Sequence, residues 1–479
     1  MKQLKFSPLL WFLSLQITSF NADAQSCRDF TFVSSDLPII IIRTSEKIHN
    51  SKRIIADLNV INEGEGKLNS ISDVPVFSGK IRIEERGSSS RRFPQKSYSL
   101  ETEDTNGLSQ NISLLNLPKG NDWIFYAPYR DHSLMRNAMM YQLAREMGRY
   151  APRTNYFELF LNDKYQGVYV LTEKIKRSSR RENVSADGFI LKIDKPGDGK
   201  RFWSAREVSR MITESTQAIF HSSKGRRKDL IKQTTIHNDF IESAFVPRQA
   251  TWQRIRFRFH DPHASAISQQ QKIFLKDYLY KAERSLFEGN KNAYKQYFDL
   301  SSMVDFFILN EISRNVDAYR ISTYFTVDTS SSSTGKISLG PIWDFDLALG
   351  NSDYCHANDT SGWAFQFNSC YKQDAYLVPF WWEKLMEDSD FVNELKSRWQ
   401  FLRLTVLNTS KIMMQIDSIK DCISSVQHRN YCNWNPGKNS IEGTDEFDKE
   451  VSFLKEWLSG RLAWMDKNML DECDPYCLN

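Results

Sequence analysis

One short run, Gly340-Pro-Ile-Trp-Asp-Phe-Asp-Leu-Ala-Leu-Gly350, constrains this chain more than any other segment. It follows Lys336-Ile-Ser-Leu339, which reads as a short strand, so Asp344 and Asp346 are expected to leave a strand end on one face and enter a glycine turn. Two like charges side by side repel unless a cation lies between them or one carries a proton. Hard oxygen ligands of this kind suit Mg²⁺, which takes one or two carboxylates and completes its shell with water and phosphate oxygens. The plainer alternative is a strand end whose aspartates cap a turn.

Two further segments supply matching chemistry. Arg86-Gly-Ser-Ser-Ser-Arg91 is a small-residue loop with an arginine at each end, and its backbone N–H groups and hydroxyls suit phosphate oxygens. Lys96 follows in Phe93-Pro-Gln-Lys-Ser-Tyr-Ser-Leu100, where strand-like alternation places its ammonium near the loop; an exposed turn with a solvated lysine is the alternative. The other segment is Asn310-Glu-Ile-Ser-Arg-Asn-Val-Asp317, at the end of an apolar helical run containing Met303, Phe306, Phe307 and Leu309. A Tyr-rich strand, Thr323 to Val327, and a hairpin with its tip at Ser330 to Ser333 then lead to Asp344.

Seven pieces in order resemble the CotH family of atypical protein kinases. They are Arg86–Arg91 with Phe93–Tyr98, Asp122-Trp-Ile-Phe-Tyr-Ala-Pro-Tyr-Arg-Asp131, Leu134-Met-Arg-Asn137, Gly167–Ile175, Gly188-Phe-Ile-Leu-Lys-Ile-Asp194, Asn315-Val-Asp317 and Ile342–Gly350. The resemblance implies an α+β, atypical protein-kinase-like fold with a strand-rich N-terminal lobe and a helix-rich C-terminal lobe. It also implies ATP with Mg²⁺, or Mn²⁺, as cofactors. Carried across residue by residue, Asp317 is similar to the catalytic carboxylate and Asp344 to the metal ligand, with Asp346 a second candidate for the same ion. Arg86, Gly87, Ser88, Ser89 and Arg91 form the phosphate loop, Lys96 resembles the phosphate lysine, and Glu173 the glutamate near the nucleotide. The family's asparagine five residues after the catalytic aspartate is Ser322 here, a shorter metal ligand. Ser88 likewise stands where the family often has asparagine.

The first residues, a basic Met1-Lys-Gln-Leu-Lys5, an apolar stretch from Leu9 to Phe20 and Ala22-Asp-Ala24, read as a secretory signal peptide (1–24) cleaved after Ala24. Cys27 raises a lipoprotein alternative, though Ala24-Gln-Ser26 is a poor lipidation site. The leader is too short to span a bilayer and no later stretch is long enough, so no transmembrane segment is expected. Secretion permits disulfides. Neighbour pairing of Cys355 with Cys370, Cys422 with Cys432 and Cys473 with Cys477 leaves Cys27 over; zinc is the rival reading, without knuckle spacing to support it. A net charge of +4 over 479 residues gives no argument for nucleic acid. The basic runs Lys174–Arg181 and Lys224–Lys228 are solvated loops or a dock for an acidic protein substrate.

Organisation follows from periodicity. Residues 25–195 read as the strand-rich lobe, with strands at Leu37–Arg43, Ile54–Val60 and Gly79–Glu84, a helix from Leu134 to Met147 with Asp131 as its N-cap, a hairpin turning at Asn162-Asp-Lys164, and a strand at Gly188–Asp194. Residues 196–265 are polar and basic with scattered aromatics and read as an insertion or linker. Residues 266–479 form a helix-rich lobe with helices at 267–287, 301–312, 380–404 and 445–469; Tyr278, Leu286, Phe306, Leu395, Phe453 and Trp457 are expected in its core. No hydrolase elbow, Walker P-loop or H-E-x-x-H is present, and Pro262 between His260 and His263 argues for a turn.

The leading expectation is a secreted enzyme moving a phosphoryl group from ATP to Ser or Thr of an extracytoplasmic protein. The alternative from another class is a non-catalytic envelope scaffold, which Ser322 and the scarcity of ATP outside the cytoplasm favour. A glycosidase, suggested by 12 Trp and 19 Tyr, fits less well. Its two carboxylates flank the bond, whereas Asp344 and Asp346 would approach from one side, their Cα atoms roughly 7 Å apart. The oligomeric state is not legible.

Overall fold

The structure, a computed structural model, describes residues 32–195, 234–250, 253–328, 335–434 and 440–470. Strands β1 (Ile39–Arg43), β2 (Ile54–Ile61), β3 (Phe77–Arg86), β4 (Ser97–Glu103), β5 (Asp122–Tyr126), β6 (Thr154–Leu161) and β7 (Lys164–Glu173) close into a barrel in the order β1-β2-β3-β4-β5-β7-β6. Alternation drives it: Ile54, Ala56, Leu58 and Val60 are buried while Ile55 and Asp57 face water. Inside lie Ile40, Ile83, Leu100, Trp123, Phe125, Phe157 and Leu171. The parallel pairing of β1 with β6 removes the last free edge. Helix α1 (Arg136–Glu146) is inserted between β5 and β6; Asp131 accepts from its first N–H at 2.8 Å, although Met135 occupies the cap position.

A second, antiparallel sheet is built from β8 (Phe189–Ile193), β9 (Thr235–Ile236), β10 (Phe240–Glu242), β11 (Arg256–Asp261), β12 (Thr323–Val327) and β13 (Ile337–Leu339), in the order β13-β12-β8-β11-β10-β9. The segments 235–236, 240–242 and 256–261 are therefore strands of this sheet, and the boundary expected at 195/196 falls between partners of one sheet. Scattered polar residues there hide the strands, because Arg256 and Arg258 alternate with buried Phe257 and Phe259 on a surface only one face of which is dry.

The C-terminal part is helical: α2 (Gln269–Phe287), α3 (Lys291–Tyr297), α4 (Leu300–Ser313), α5 (Phe367–Cys370), α6 (Trp381–Met386), α7 (Ser389–Leu404), α8 (Thr409–Trp434) and α9 (Ser440–Leu470). The helix expected over 380–404 is broken at Asp388, whose carboxylate accepts from the Asp390 N–H at 2.9 Å and starts α7 afresh. Helix α4 is buried from Ser302 to Ser313 and forms the axis of this region. Its Glu311 is paired with Arg461 of α9 at 3.3 Å with both side chains fully buried, and also accepts from the N–H groups of Ala364 and Phe365. Phe453 is not a core residue: it is 40% exposed, its ring resting with Trp457 over Gly350.

Cys355 and Cys370 form a disulfide across 5.8 Å between Cα atoms, as expected. The expected Cys422–Cys432 bond does not form. Cys422 is a free, exposed thiol, and Cys432 is bonded to a partner outside the described residues. The two sit ten residues apart on the straight helix α8, and at 1.5 Å rise per residue that separation is far beyond disulfide reach. Cys27, Cys473 and Cys477 lie outside the described residues, as do 1–24 and the Ser330–Ser333 tip. Among the described residues no helix is long and apolar enough to cross a membrane.

Glu283 of α2 is fully enclosed, and burial pushes its carboxyl up to about 8. Trp381 Nε1 donates to Oε1 at 2.9 Å, and Oε2 lies 2.7 Å from the Ser243 hydroxyl, which also contacts the Phe245 carbonyl at 3.1 Å. A neutral acid satisfies all of these: it donates to Ser243, whose own proton goes to Phe245. Because the folded pKa is raised, this group's stabilisation is complete below about pH 4.5, the unfolded value, and is lost as pH rises through about 8. Glu283→Gln keeps the same bonds without the proton. It should match the natural protein in urea denaturation at pH 4.5 and exceed it by a few kcal/mol at pH 8; a difference independent of pH would rule out a neutral Glu283.

Candidate active site

A cavity of about 750 Å³ opens where the barrel, helix α1 and the second sheet meet. The turn after β3 forms its roof. Gly87 there has φ +111° and a Cβ would collide with Ser90 Oγ, so only glycine admits the tight entry into the 3₁₀ turn Ser89–Arg92. Arg86, Gly87, Ser88, Ser89 and Arg91 all line the cavity. The Arg86 guanidinium lies over the Trp343 ring at 5.4 Å.

Asp317, Ser322, Asp344 and Asp346 line the opposite wall. Strand geometry does not bring the two later aspartates together. Strand β13 ends at Leu339, residues 340–345 have no regular structure, and Asp344 has φ 68°. Helix α1 holds this irregular segment instead. The Asn137 side-chain oxygen accepts from the Phe345 N–H at 2.6 Å, and the Tyr141 hydroxyl accepts from the Asp344 N–H at 3.2 Å. Arg136, itself fully buried between Asp131 and Glu450, donates to the carbonyls of Ala348 (3.1 Å) and Leu349 (3.3 Å). Asn315 donates to the Asp344 carbonyl at 3.2 Å. The Leu134–Asn137 stretch thus has a structural meaning: it clamps the aspartate segment that its sequence neighbours cannot hold.

Burial, then the Asp317 charge, raises the carboxyl of Asp344. Burial, then Asp344, Asp317 and Asp131, pushes the Asp346 carboxyl well above its ordinary range, because crowded carboxylates shut off from water resist being charged together. The Ser322 hydroxyl donates to Asp344 Oδ2 at 3.2 Å. Asp317 is paired with Arg320 at 2.9 Å, and Arg320 is anchored on Asp374 at 3.2 Å and the Phe367 ring. Among the described residues no three His, Cys, Asp or Glu side chains converge as a ready-made cage. The donor set fits Mg²⁺ all the same, since that ion takes one or two carboxylates and its charge would offset the repulsion within the crowded pair.

Lys96 and Glu173 do not line this cavity. Lys96 Nζ donates to the Arg91 carbonyl at 2.7 Å and so braces the roof from behind. Glu173 is fully buried at the end of β7, tied to Arg153 at 3.1 Å and to the Arg153 N–H at 3.0 Å. The lysines that line the cavity are Lys192 of β8, 2.7 Å from Asp194, and Lys195 just beyond that strand; for Lys192 the electrostatics are clear. Burial disfavours its charge, but Tyr324 and the pairing with Asp194 outweigh that and hold its pKa above the ordinary value. Lys192 and Tyr126 were both within segments quoted above, yet no spacing rule distinguishes them there. His260 and His263 do not form a pair: His260 is half-buried, its ring against the Ile175 carbonyl (2.9 Å), and desolvation drives its pKa down to about 4, while His263 bonds Ser265.

The architecture is mixed α+β, a seven-stranded barrel followed by a helical region, with a cavity that gathers carboxylates beneath a small-residue loop. The model of the CotH kinase protein family matches residues 83–465. The chain belongs to that family. No curated protein matches it.

Proposed function

We propose that this protein is a secreted, kinase-like enzyme that transfers the γ-phosphoryl group of ATP to a Ser or Thr hydroxyl of an extracytoplasmic protein. The observation that carries this reading is the convergence of Asp317, Asp344 and Asp346 with Lys192 and Arg86 in one cavity below the Arg86–Arg91 turn. Membership of a family described as kinases supports it. The leader-like first 24 residues support secretion. Asp344 and Asp346 would hold Mg²⁺, which when bound neutralises charge on the phosphate oxygens. Lys192 and Arg86 lie on the same cavity and supply two more cations for those oxygens. Asp317, held by Arg320, orients the acceptor hydroxyl and takes its proton as the oxygen bonds to the γ-phosphorus and ADP leaves. The barrel and the helical region stand in this reading for the two lobes of a kinase-like fold.

One observation favours the scaffold alternative: position 322 offers the metal only a short serine hydroxyl, which donates its proton to Asp344. Ser322 has φ 50°, a conformation asparagine tolerates well. Ser322→Asn should therefore fold normally and tighten Mg²⁺-dependent ATP binding about tenfold. Titration of ATP and phosphoryl transfer to an envelope extract, each at several Mg²⁺ concentrations, decide the matter. Transfer by the natural protein supports the kinase. Transfer only by Ser322→Asn supports a scaffold that has lost its activity, and no nucleotide binding by either refutes the nucleotide reading and leaves only the family resemblance.

A further inference from the structure

Tyr126 closes strand β5 and lines the cavity beside the carboxylates, yet no role has been given to it. Its hydroxyl oxygen is shut off from solvent and has no hydrogen-bond partner among the described residues. That is unusual for a polar atom in such a place, because a buried hydroxyl without a partner is unfavourable and native folds rarely keep one. Two of the neighbouring carboxylates already take other donors. Asp131 Oδ1 accepts from the Ser133 N–H and hydroxyl and from Arg136, and its Oδ2 from the Arg136 N–H. Asp344 Oδ2 accepts from Ser322. Burial, then the charges of Asp346, Asp131 and Asp344, raise the pKa of this phenol, so it keeps its proton and has one to donate.

We infer that Tyr126 is a positioning residue for the Mg·nucleotide, its hydroxyl donating to an oxygen that arrives with the ligand. That oxygen belongs to a phosphate or to a water on the metal; both are acceptors of the same kind, and both are absent until the ligand enters. The inference rests on the nucleotide reading above and adds a residue to it. A purely structural tyrosine at this position would contribute only its ring, which stays in place when the oxygen is removed.

Tyr126→Phe deletes that oxygen alone. The experiment is calorimetric titration of the full mature chain, natural and Tyr126→Phe, with ATP in excess Mg²⁺, with ATP in EDTA, and with Mn²⁺ alone, alongside thermal melting of both ligand-free proteins. The expected result is a loss of about tenfold in affinity for Mg·ATP, with melting temperature equal or higher. An accompanying loss with Mn²⁺ alone assigns the acceptor to a metal-bound water, and its absence to a phosphate oxygen; either agrees with the inference. Equal Mg·ATP affinity in the two proteins overturns the role of Tyr126 and leaves the site intact. Failure of the natural protein to bind Mg·ATP overturns the nucleotide reading itself, and this inference with it.

Discussion

Replacing Asp317 by asparagine should lower phosphoryl transfer by about two to four orders of magnitude, the range for loss of a general base, while nucleotide affinity stays the same. The substitution is nearly isosteric. Its backbone N–H is held by Asn315 Oδ1 at 3.1 Å, independently of the side chain, and Arg320 keeps a second carboxylate in Asp374 at 3.2 Å. The fold around the site should therefore persist, and the loss should fall on kcat rather than on KM for ATP. Single-turnover transfer from labelled ATP, read beside an ATP titration, checks this. Transfer indifferent to the change would make Asp317 a residue of the α4 exit only, and the proposed mechanism would be wrong.

Asp344→Asn should weaken Mg²⁺-dependent ATP binding by at least about a hundredfold, since altering even a residue behind a metal ligand costs ten- to a hundredfold. Asparagine is a cleaner test than alanine. Asp344 sits at φ 68°, where alanine strains the backbone and asparagine does not, and asparagine retains an acceptor for Ser322. Removing this charge also relieves the repulsion that Asp317 and Asp346 exert across the cavity. The ligand-free protein should consequently melt at a higher temperature while binding less well, a pairing that simple misfolding cannot produce. Unchanged affinity would shift the metal assignment to Asp346.

Local chemistry made a large part of this protein legible. The inward and outward alternation of Ile54 to Val60, the turn at Asn162-Asp163 and the apolar stripe of Leu300–Ser313 all depend on neighbours two to four positions away, so they can be read along the chain. Helix α8 is missing from the expectations above, although Ile412, Ile416, Ile419, Ile423 and Val426 repeat at the helical period. It joins the two halves of the molecule, through Asn430 to the Val168 N–H at 2.9 Å and through Arg429 to Glu158 at 2.6 Å.

The candidate site divides along the same line. The aspartates at 317, 344 and 346 and the turn at 86–91 stand out because unusual residues cluster at short spacing. Which cation faces them does not, since Lys96 and Lys192 both follow strand-like alternation. Only the packing of β8 between β12 and β11 turns Lys192 inward, while Lys96 ends behind the roof. The cysteines behave likewise: the disulfide that closes a local turn, Cys355–Cys370, is readable, whereas a rigid helix keeps Cys422 and Cys432 apart. The unpaired hydroxyl of Tyr126 is the extreme case. Nothing within β5 sets it apart from an ordinary core tyrosine; it becomes a donor without a partner only when segments some two hundred residues later fold against it, because hydrogen-bond satisfaction is a property of the assembled interior.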